Sequence, residues 1–324
     1  MFYFLLKPYI GPKQANYQHA CIVFAEGLTQ LKKNFEANID YFPDTSGKFL
    51  FSKGTITKET QYIVTAHPED FKDDIVRLTT ENKHIIIFDS KDEWVRPQSI
   101  NFLKYAYRYF MTSSLITSNR IKPLCFAISN RMIETIAEQP KIPWAKRSEE
   151  IFWAHRVTNH YLRNIVKGFY DTKHILYHTH LDNFVAPDDS IHYWNHTGRR
   201  HTPGYFAELQ KYKYMDAHGG YDTHNGGIVQ WDSWKVWEGF LSGMLVITAD
   251  LDFYNIKLPY PLKPYVHYIP VRYSHIQDSY SKLDLIPDKK KEEIALNGQK
   301  YVLENYCPKS MAKFILNEMV PSTV

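Results

Sequence analysis

The chain is poor in cysteine: three in 324 residues, Cys21, Cys125 and Cys307, far apart and with no C-x-x-C pair. That excludes a disulfide framework and a cysteine-rich zinc site, and it suits a reducing, cytoplasmic setting. Long apolar runs are also missing. The apolar start, MFYFLLKPYI, falls short of the roughly 20 residues a membrane span needs. It also lacks the leading positive charge and small-residue cleavage site of a signal peptide. A buried first strand is the expected reading, and no transmembrane segment is expected. Charge of one sign is not in excess: 39 Lys+Arg against 35 Asp+Glu leave a formal +4. That is too little to argue for nucleic acid, which calls for a clustered basic face. Finally, no G-x-G-x-x-G follows the first strand, where a dinucleotide-dependent oxidoreductase carries it; Gly11 stands alone there.

What is present is the composition of a folded chain, with 44% hydrophobic and 23% charged residues. The length suggests two domains. Phe2–Pro8 reads as a strand. Tyr17–Leu31 has helical apolar spacing, with Asn16 as its N-cap. Gln61–Thr65 and His84–Phe88 are continuous apolar runs of the kind found in parallel strands covered on both faces. The amphipathic Asp70–Leu78 lies between them, which is the βαβ rhythm. Ser99–Met111 is expected to be an aromatic helix. Glu138–Ser148, with two prolines and three positive charges, is the expected linker. Beyond it, strands are expected at Glu150–Trp153, His174–Tyr177, Lys213–Ala217, Leu245–Thr248 and Tyr265–Ile269. Helices are expected near Thr158–Val166 and at Ser233–Leu241, Asp288–Leu303 and Met311–Met319. The result is an α/β reading: two Rossmann-like domains, residues 1–140 and 141–324, facing across a cleft.

The most informative window runs from Tyr205 to Thr248. A strand enters a loop containing Gly219, Gly220, Gly226 and Gly227, which feeds a helix at Asp232 or Ser233. Glycines let backbone approach a ligand closely, and a helix N-terminus offers free N–H groups to phosphate. His218 opens that loop. Ser233 and Lys235 could add a hydroxyl and a cation to a diphosphate, and Glu238, one turn on, could accept two hydrogen bonds from a ribose diol. On this reading Glu238 is removable without loss of the fold, because it serves a ligand and not the core.

The pattern Ser233-Trp-Lys235-Val-Trp-Glu238, then Gly243-Met-Leu-Val-Ile-Thr248, resembles the donor-binding domain of GT-B glycosyltransferases, nearest to exostosin-like and related bacterial and viral sugar transferases. Glu293 to Gly298 through Tyr306-Cys-Pro308 is similar to their terminal helices, the last of which often crosses back to the first domain. The resemblance implies metal-independent transfer of a hexose or pentose from a nucleotide sugar, by default a UDP-sugar, to a glycan, a protein-linked glycan or another hydroxyl acceptor. Without a metal, cationic side chains and helix N-termini must stabilise the leaving diphosphate. Arg156 and Arg163 stand where such enzymes often keep a diphosphate-binding cation, and Arg199-Arg200 are further candidates. Tyr193, Trp194 and Tyr205 are candidates for stacking on a base. On the acceptor side the resemblance points to the loop of Gly11, Lys13 and Asn16.

An inverting transfer needs a general base, expected from the N-terminal domain. Asp89, Asp92 and His19 are alternatives, with Glu93 and Asp44 nearby; the sequence does not choose among them. Two other function classes compete. His178-x-His180-x-Asp182 resembles the metal loop of metallo-β-lactamase-fold hydrolases. Asn183 stands where that family has a further histidine, however, and the string comes past mid-chain. A glycan-binding module would suit the 24 Tyr and 7 Trp, but the βαβ rhythm opposes the usual all-β architecture.

Overall fold

A computed structural model describes residues 1–8, 18–41, 50–90, 100–115, 117–153, 155, 161–178, 203–219, 221–222 and 228–320. In chain order the elements are β1 (Phe2–Leu5), α1 (His19–Gln30), β2 (Phe35–Ala37), β3 (Tyr62–Thr65), α2 (Lys72–Thr80), β4 (His84–Asp89), β5 (Ala106–Met111), β6 (Ile121–Pro123) and α3 (Asn130–Ala137). Then come β7 (Ser148–Phe152), α4 (Tyr161–Lys173), β8 (Tyr177–His178), α5 (Pro203–Leu209), β9 (Tyr212–Asp216), β10 (Tyr221–Asp222), β11 (Ile228–Gln230), α6 (Trp234–Leu241) and β12 (Leu245–Ala249). The chain closes with β13 (Ile269–Val271), α7 (Ile276–Leu285), α8 (Asp288–Asn305) and α9 (Pro308–Met319). They form two compact units, one built on Met1–Arg131 with the stretch from Tyr306, the other on Met132 to Asn305.

The first unit carries an all-parallel sheet in the order β2-β1-β3-β4-β5-β6. Alternation along β1 sends its side chains to opposite faces. Phe2 and Phe4 meet Phe24 of α1, at ring centroids 5.5 and 6.0 Å apart, and Phe24 also meets Phe88 of β4 at 5.6 Å. Tyr3 and Leu5 belong to the other layer, with Ile63, Ile85 and Ile87 and with Ile75 and Leu78 of α2. Ile85–Phe88 are fully buried because both sheet faces are covered.

Helix α1 is buried from His19 to Leu28. Residue 27 must be glycine for a steric reason: a Cβ there would run into Pro308 O and lie 2.5 Å from Ala312 Cβ of α9. The C-terminal carbonyls of α9 are satisfied by β5. Tyr107 Oη donates to Met319 O at 2.8 Å and Arg108 Nε to Glu318 O at 2.6 Å.

The expected helix over Ser99–Met111 is corrected by the structure. Ile100 is helical, Asn101–Tyr105 is a run of turns, and Ala106–Met111 is strand β5, paired with β4 and β6. Its Tyr and Phe residues favour a pleated surface, and the open position beside β4 decides the matter.

The second unit has a parallel sheet in the order β13-β12-β9-β7-β8 and a separate antiparallel pair, β10-β11. That pair occupies part of the window read from sequence as a glycine-rich loop. Strand β13 begins where the expected Tyr265–Ile269 strand ends. The proline-rich stretch before β7 is docked rather than loose. Trp144 is buried and donates from Nε1 to Asp288 at 3.0 Å, and Arg147 Nη1 donates to Gly243 O at 2.8 Å. Gly243 follows α6 with φ +65°, the left-handed geometry that ends a helix at little cost to glycine.

Both sheets share one plan. The first strand is interior, the second lies on one side of it, and the third and later strands lie on the other. The chain therefore changes direction between β1 and β3 in one sheet and between β7 and β9 in the other. Outside the carboxyl ends of those strand pairs, loops diverge and leave a crevice.

Gly27→Val is expected to destabilise the first unit by about 1–3 kcal/mol through overpacking of α1 on α9. Urea unfolding followed by circular dichroism measures it; an unchanged midpoint would mean the helices part without cost.

Candidate functional site

At the carboxyl ends of β7 and β9, a buried polar cluster gathers around Asp216, the last residue of β9. Asp216 is 0% exposed. His155, just beyond β7, places Nε2 2.8 Å from Asp216 Oδ1 and 3.0 Å from Asp216 O. Both oxygens accept, so Nε2 carries the proton. Tyr170 of α4 donates to Asp216 Oδ2 at 2.6 Å and is itself 2.5 Å from the Tyr280 hydroxyl of α7. His218 places Nε2 3.4 Å from Asp216 Oδ2 and holds the Tyr273 hydroxyl against Nδ1 at 2.8 Å.

Burial sets the protonation of this cluster. It pushes the Asp216 carboxyl up from its ordinary value, while His218 and the Tyr170 hydroxyl work against the rise. Burial pushes His218 down to about 4, with Asp216 opposing and His155 assisting. His218 is therefore a neutral imidazole at physiological pH. Burial and Asp216 together raise Tyr170, Tyr273 and Tyr280, which remain hydroxyl donors.

Two helices begin at the same edge of the sheet, since a helix leaving a parallel strand starts at that strand's carboxyl end. Helix α4 brings Arg163 in its first turn, with Nε 3.5 Å from His218 O. Gly219, next to His218, is buried. Helix α6 starts after Ser233, whose extended backbone makes it the N-cap residue. Ser233 makes no capping hydrogen bond, and its buried Oγ has no partner among the described residues.

Lys235 and Glu238, read from sequence as serving a ligand, are engaged with the protein itself. Glu238 is 2% exposed, and its Oε2 accepts from Tyr205 Oη at 2.5 Å and from Lys235 Nζ at 3.0 Å. Lys235 Nζ also lies 3.1 Å from Tyr205 Oη. Tyr205, read as a stacking candidate, is 0% exposed and serves the pair through its hydroxyl. The expectation that Glu238 could be removed without touching the fold is corrected here: its carboxylate neutralises a buried ammonium.

In the first unit, Asp89 ends β4 and is buried, accepting from Tyr109 Oη at 2.5 Å. His19 is buried at the start of α1. The remaining residues singled out from sequence lie outside the described residues: Asp92, Glu93 and Asp44; Arg156, Arg199 and Arg200; Tyr193 and Trp194; Gly220, Gly226 and Gly227; Gly11, Lys13 and Asn16; and His180 and Asp182 of the H-x-H-x-D string.

Sequence reasoning brought Arg163, His218, Gly219 and Ser233 to this edge and missed Asp216, His155, Tyr170, Tyr273 and Tyr280. One signal was legible: Asp216 is an acid at the end of an apolar strand, in YKYMDAH. The tyrosines carried none, because two come from segments far along the chain.

Two outcomes follow. Between pH 6.5 and about 4 the unfolded chain takes up a proton that buried His218 resists, so stability falls as pH falls through that window. In His218→Gln that fall should be shallower by up to about 1.4 kcal/mol per pH unit, read from urea midpoints at successive pH values; parallel curves would show that His218 does not titrate this way. Glu238→Ala should cost about 3–5 kcal/mol by stranding Lys235, and the double change Lys235→Met with Glu238→Leu should recover most of it. An undiminished melting temperature in Glu238→Ala would contradict a neutralising role.

In sequence, neither a protein-family model nor a curated protein matches this chain. In structure the likeness spans nearly its whole length. A glycosyltransferase from Rickettsia africae ESF-5 superposes with a TM-score of 0.53 at 10% identity, covering 98% of this chain and 97% of that one. Anabaena Alr3699/HepE, in complex with UDP and glucose, superposes with a TM-score of 0.52 at 11% identity, covering 98% of each. With two Rossmann-like units, each a parallel sheet flanked by helices, the chain has the two-domain α/β fold of these glycosyltransferases, the GT-B type expected from its sequence.

Proposed function

We propose that this chain is a glycosyltransferase that moves a hexose or pentose from a nucleotide sugar, a UDP-sugar, to a hydroxyl of a glycan or protein-linked glycan. The observation that carries the reading is the edge of the second sheet. A polar cluster and an arginine lie at its switch point, and an uncapped helix N-terminus belongs to the helix packed on β9, in a fold that holds UDP and glucose in Alr3699/HepE.

The chemistry follows from charge. As the glycosidic bond breaks, negative charge grows on the diphosphate, and preorganised donors that meet it there lower the barrier. The N-terminus of α6, the unspent Ser233 hydroxyl and the Arg163 guanidinium are the proposed diphosphate contacts. Arg156, Arg199 and Lys235 are kept as further cations, and Tyr193 as the base-stacking ring. His218, Gly219, Gly226 and Gly227 are the proposed loop contacts. Glu238 is the proposed ribose contact, its carboxylate oriented by Tyr205 and Lys235. Gly11, Lys13 and Asn16 are kept on the acceptor side.

The proposed transfer needs no metal, since these donors supply the positive charge a cation would otherwise bring. No helix among the described residues is long and apolar enough to cross a membrane. That, with so few cysteines, supports a cytoplasmic setting.

Calorimetric titration with UDP, GDP and ADP tests the reading. UDP is expected to bind tightest, and Arg163→Ala to weaken it roughly 10- to 100-fold, the value of a charge-assisted hydrogen bond. Transfer should persist in EDTA. Binding of none of the three nucleotides, or activity lost to EDTA and restored by zinc, would overturn it.

A further inference from the structure

At the first sheet's switch point the charged side chains pair with one another: Asp70 joins Lys7 and His67, and Glu69 lies against the same imidazole. A cavity in the second unit is lined differently. It lies on one face of the second sheet, with Ile151 of β7 and Tyr214 of β9 on the sheet side, Phe169 from α4, Tyr280 from α7 and Lys291 from α8. Its volume of about 410 Å³ falls in the range of small-ligand sites, about 300–1,000 Å³.

The cavity is set apart from the Asp216 cluster. Tyr280 lines it, and the Tyr280 hydroxyl, 2.5 Å from that of Tyr170, belongs to the cluster. Two linked tyrosines thus stand between the two. Glu149, the second residue of β7, also lines the cavity, which places it toward the amino ends of the strands. The cluster gathers at the opposite ends, where open parallel sheets bind their ligands.

Glu149 is held in place. Its Oε2 accepts from Tyr214 Oη at 2.9 Å, and its Oε1 accepts from Lys213 Nζ, which also donates to Asp288 Oδ1 at 3.2 Å. The side chain nonetheless stays 66% exposed. A carboxylate accepts more than one hydrogen bond at each oxygen, so a preorganised acceptor remains for a ligand. Asp284 and Lys173 are exposed and make no ion pair among the described residues. Gln277 Nε2 donates to Ser281 Oγ at 3.2 Å, which leaves its amide oxygen and second N–H. The apolar part is aromatic: Phe169 and Tyr280 pack at ring centroids 5.0 Å apart, and Lys291 Nζ lies 5.8 Å from the Tyr214 ring centroid.

Charge and shape narrow the ligand. Glu149 and Asp284 face Lys173 and Lys291 across the lining, so the formal charges cancel. An anion would meet the two carboxylates, and a cation the two ammoniums. Donors and acceptors side by side suit hydroxyl groups, which give and take hydrogen bonds alike. Aromatic rings suit the C–H faces of a sugar. We propose that this cavity is a carbohydrate site that holds a neutral sugar residue of an oligosaccharide, separate from the nucleotide-sugar edge. Glu149 and Asp284 accept from its hydroxyls, Lys173 and Gln277 donate to them, and the aromatic rings cover its apolar face. The site stands independently of the transferase reading. In a transferase it keeps a glycan on the enzyme by a part of the chain remote from the reacting end.

Saturation-transfer NMR on the full chain tests the site, with cellotriose, maltotriose, mannotriose and chitotriose as probes. At least one is expected to bind with a Kd below about 10 mM, and equally well in saturating UDP. Ser281→Trp, a change at an exposed residue of α7, fills the cavity with an indole. It is expected to abolish trisaccharide binding while the melting temperature and the calorimetric UDP affinity stay as in the wild type. Asp284→Asn is expected to weaken binding about tenfold, the value of a hydrogen bond to a charged group. It adds no bulk, and it keeps the test decisive should Ser281→Trp fail to fold. The proposal falls if none of the trisaccharides binds, if either folded variant leaves the affinity unchanged, or if UDP displaces the bound sugar. A chain that binds a trisaccharide in this cavity but no UDP supports the site and overturns the transferase reading.

Discussion

Parallel pairing around an interior first strand is the constraint from which the rest of this structure follows. Parallel strands cannot be joined by hairpins, so each connection crosses the sheet through a helix or long loop. When the first strand is interior, successive crossovers must run to opposite sides of it. The loops leaving β1 and β3, and those leaving β7 and β9, therefore diverge and leave strand ends uncovered. Polar residues that would be costly inside the sheet can gather there, and in both units they do.

The two clusters differ in kind. Around Asp216 the carboxylate is wholly buried, and such a charge is expensive unless its lone pairs are satisfied. His155 and Tyr170 supply those partners, and Tyr280 and Tyr273 extend the network from a segment more than 50 residues later. The network ties β7, β9, α4 and α7 into one rigid edge beside the tip of α6. Around His67 the carboxylates are partly open, and rigidity comes from the amides of Asn38 and Gln18 clamping the end of β1. The first cluster is closed to solvent; the second opens to it.

Much of the framework was legible in the chain. Runs such as HIIIF and LVIT announced strands covered on both faces, because burial on both sides removes the need for alternation. The Ser233 helix start and Gly243 stop were readable because capping depends on neighbours in sequence. Ser99–Met111 was misread because aromatic residues satisfy a helical stripe and a pleated surface alike, and only the vacancy beside β4 selects between them. Lys235 and Glu238 sat at the expected place on α6. Their burial was hidden, since it depends on Tyr205 arriving from an element that local pattern did not mark.

The sequence by itself determined the parallel α/β class, the rhythm of strand and helix, and the helix tip at Ser233. Each rests on the periodicity and capping preferences of contiguous residues. Only the tertiary structure decided that Asp216 gathers a buried polar cluster at the second unit's edge, and that Lys7 and His67 share Asp70. Those juxtapositions join residues tens of positions apart, and strand order, which no local propensity encodes, is what brings them within hydrogen-bonding or ion-pair distance.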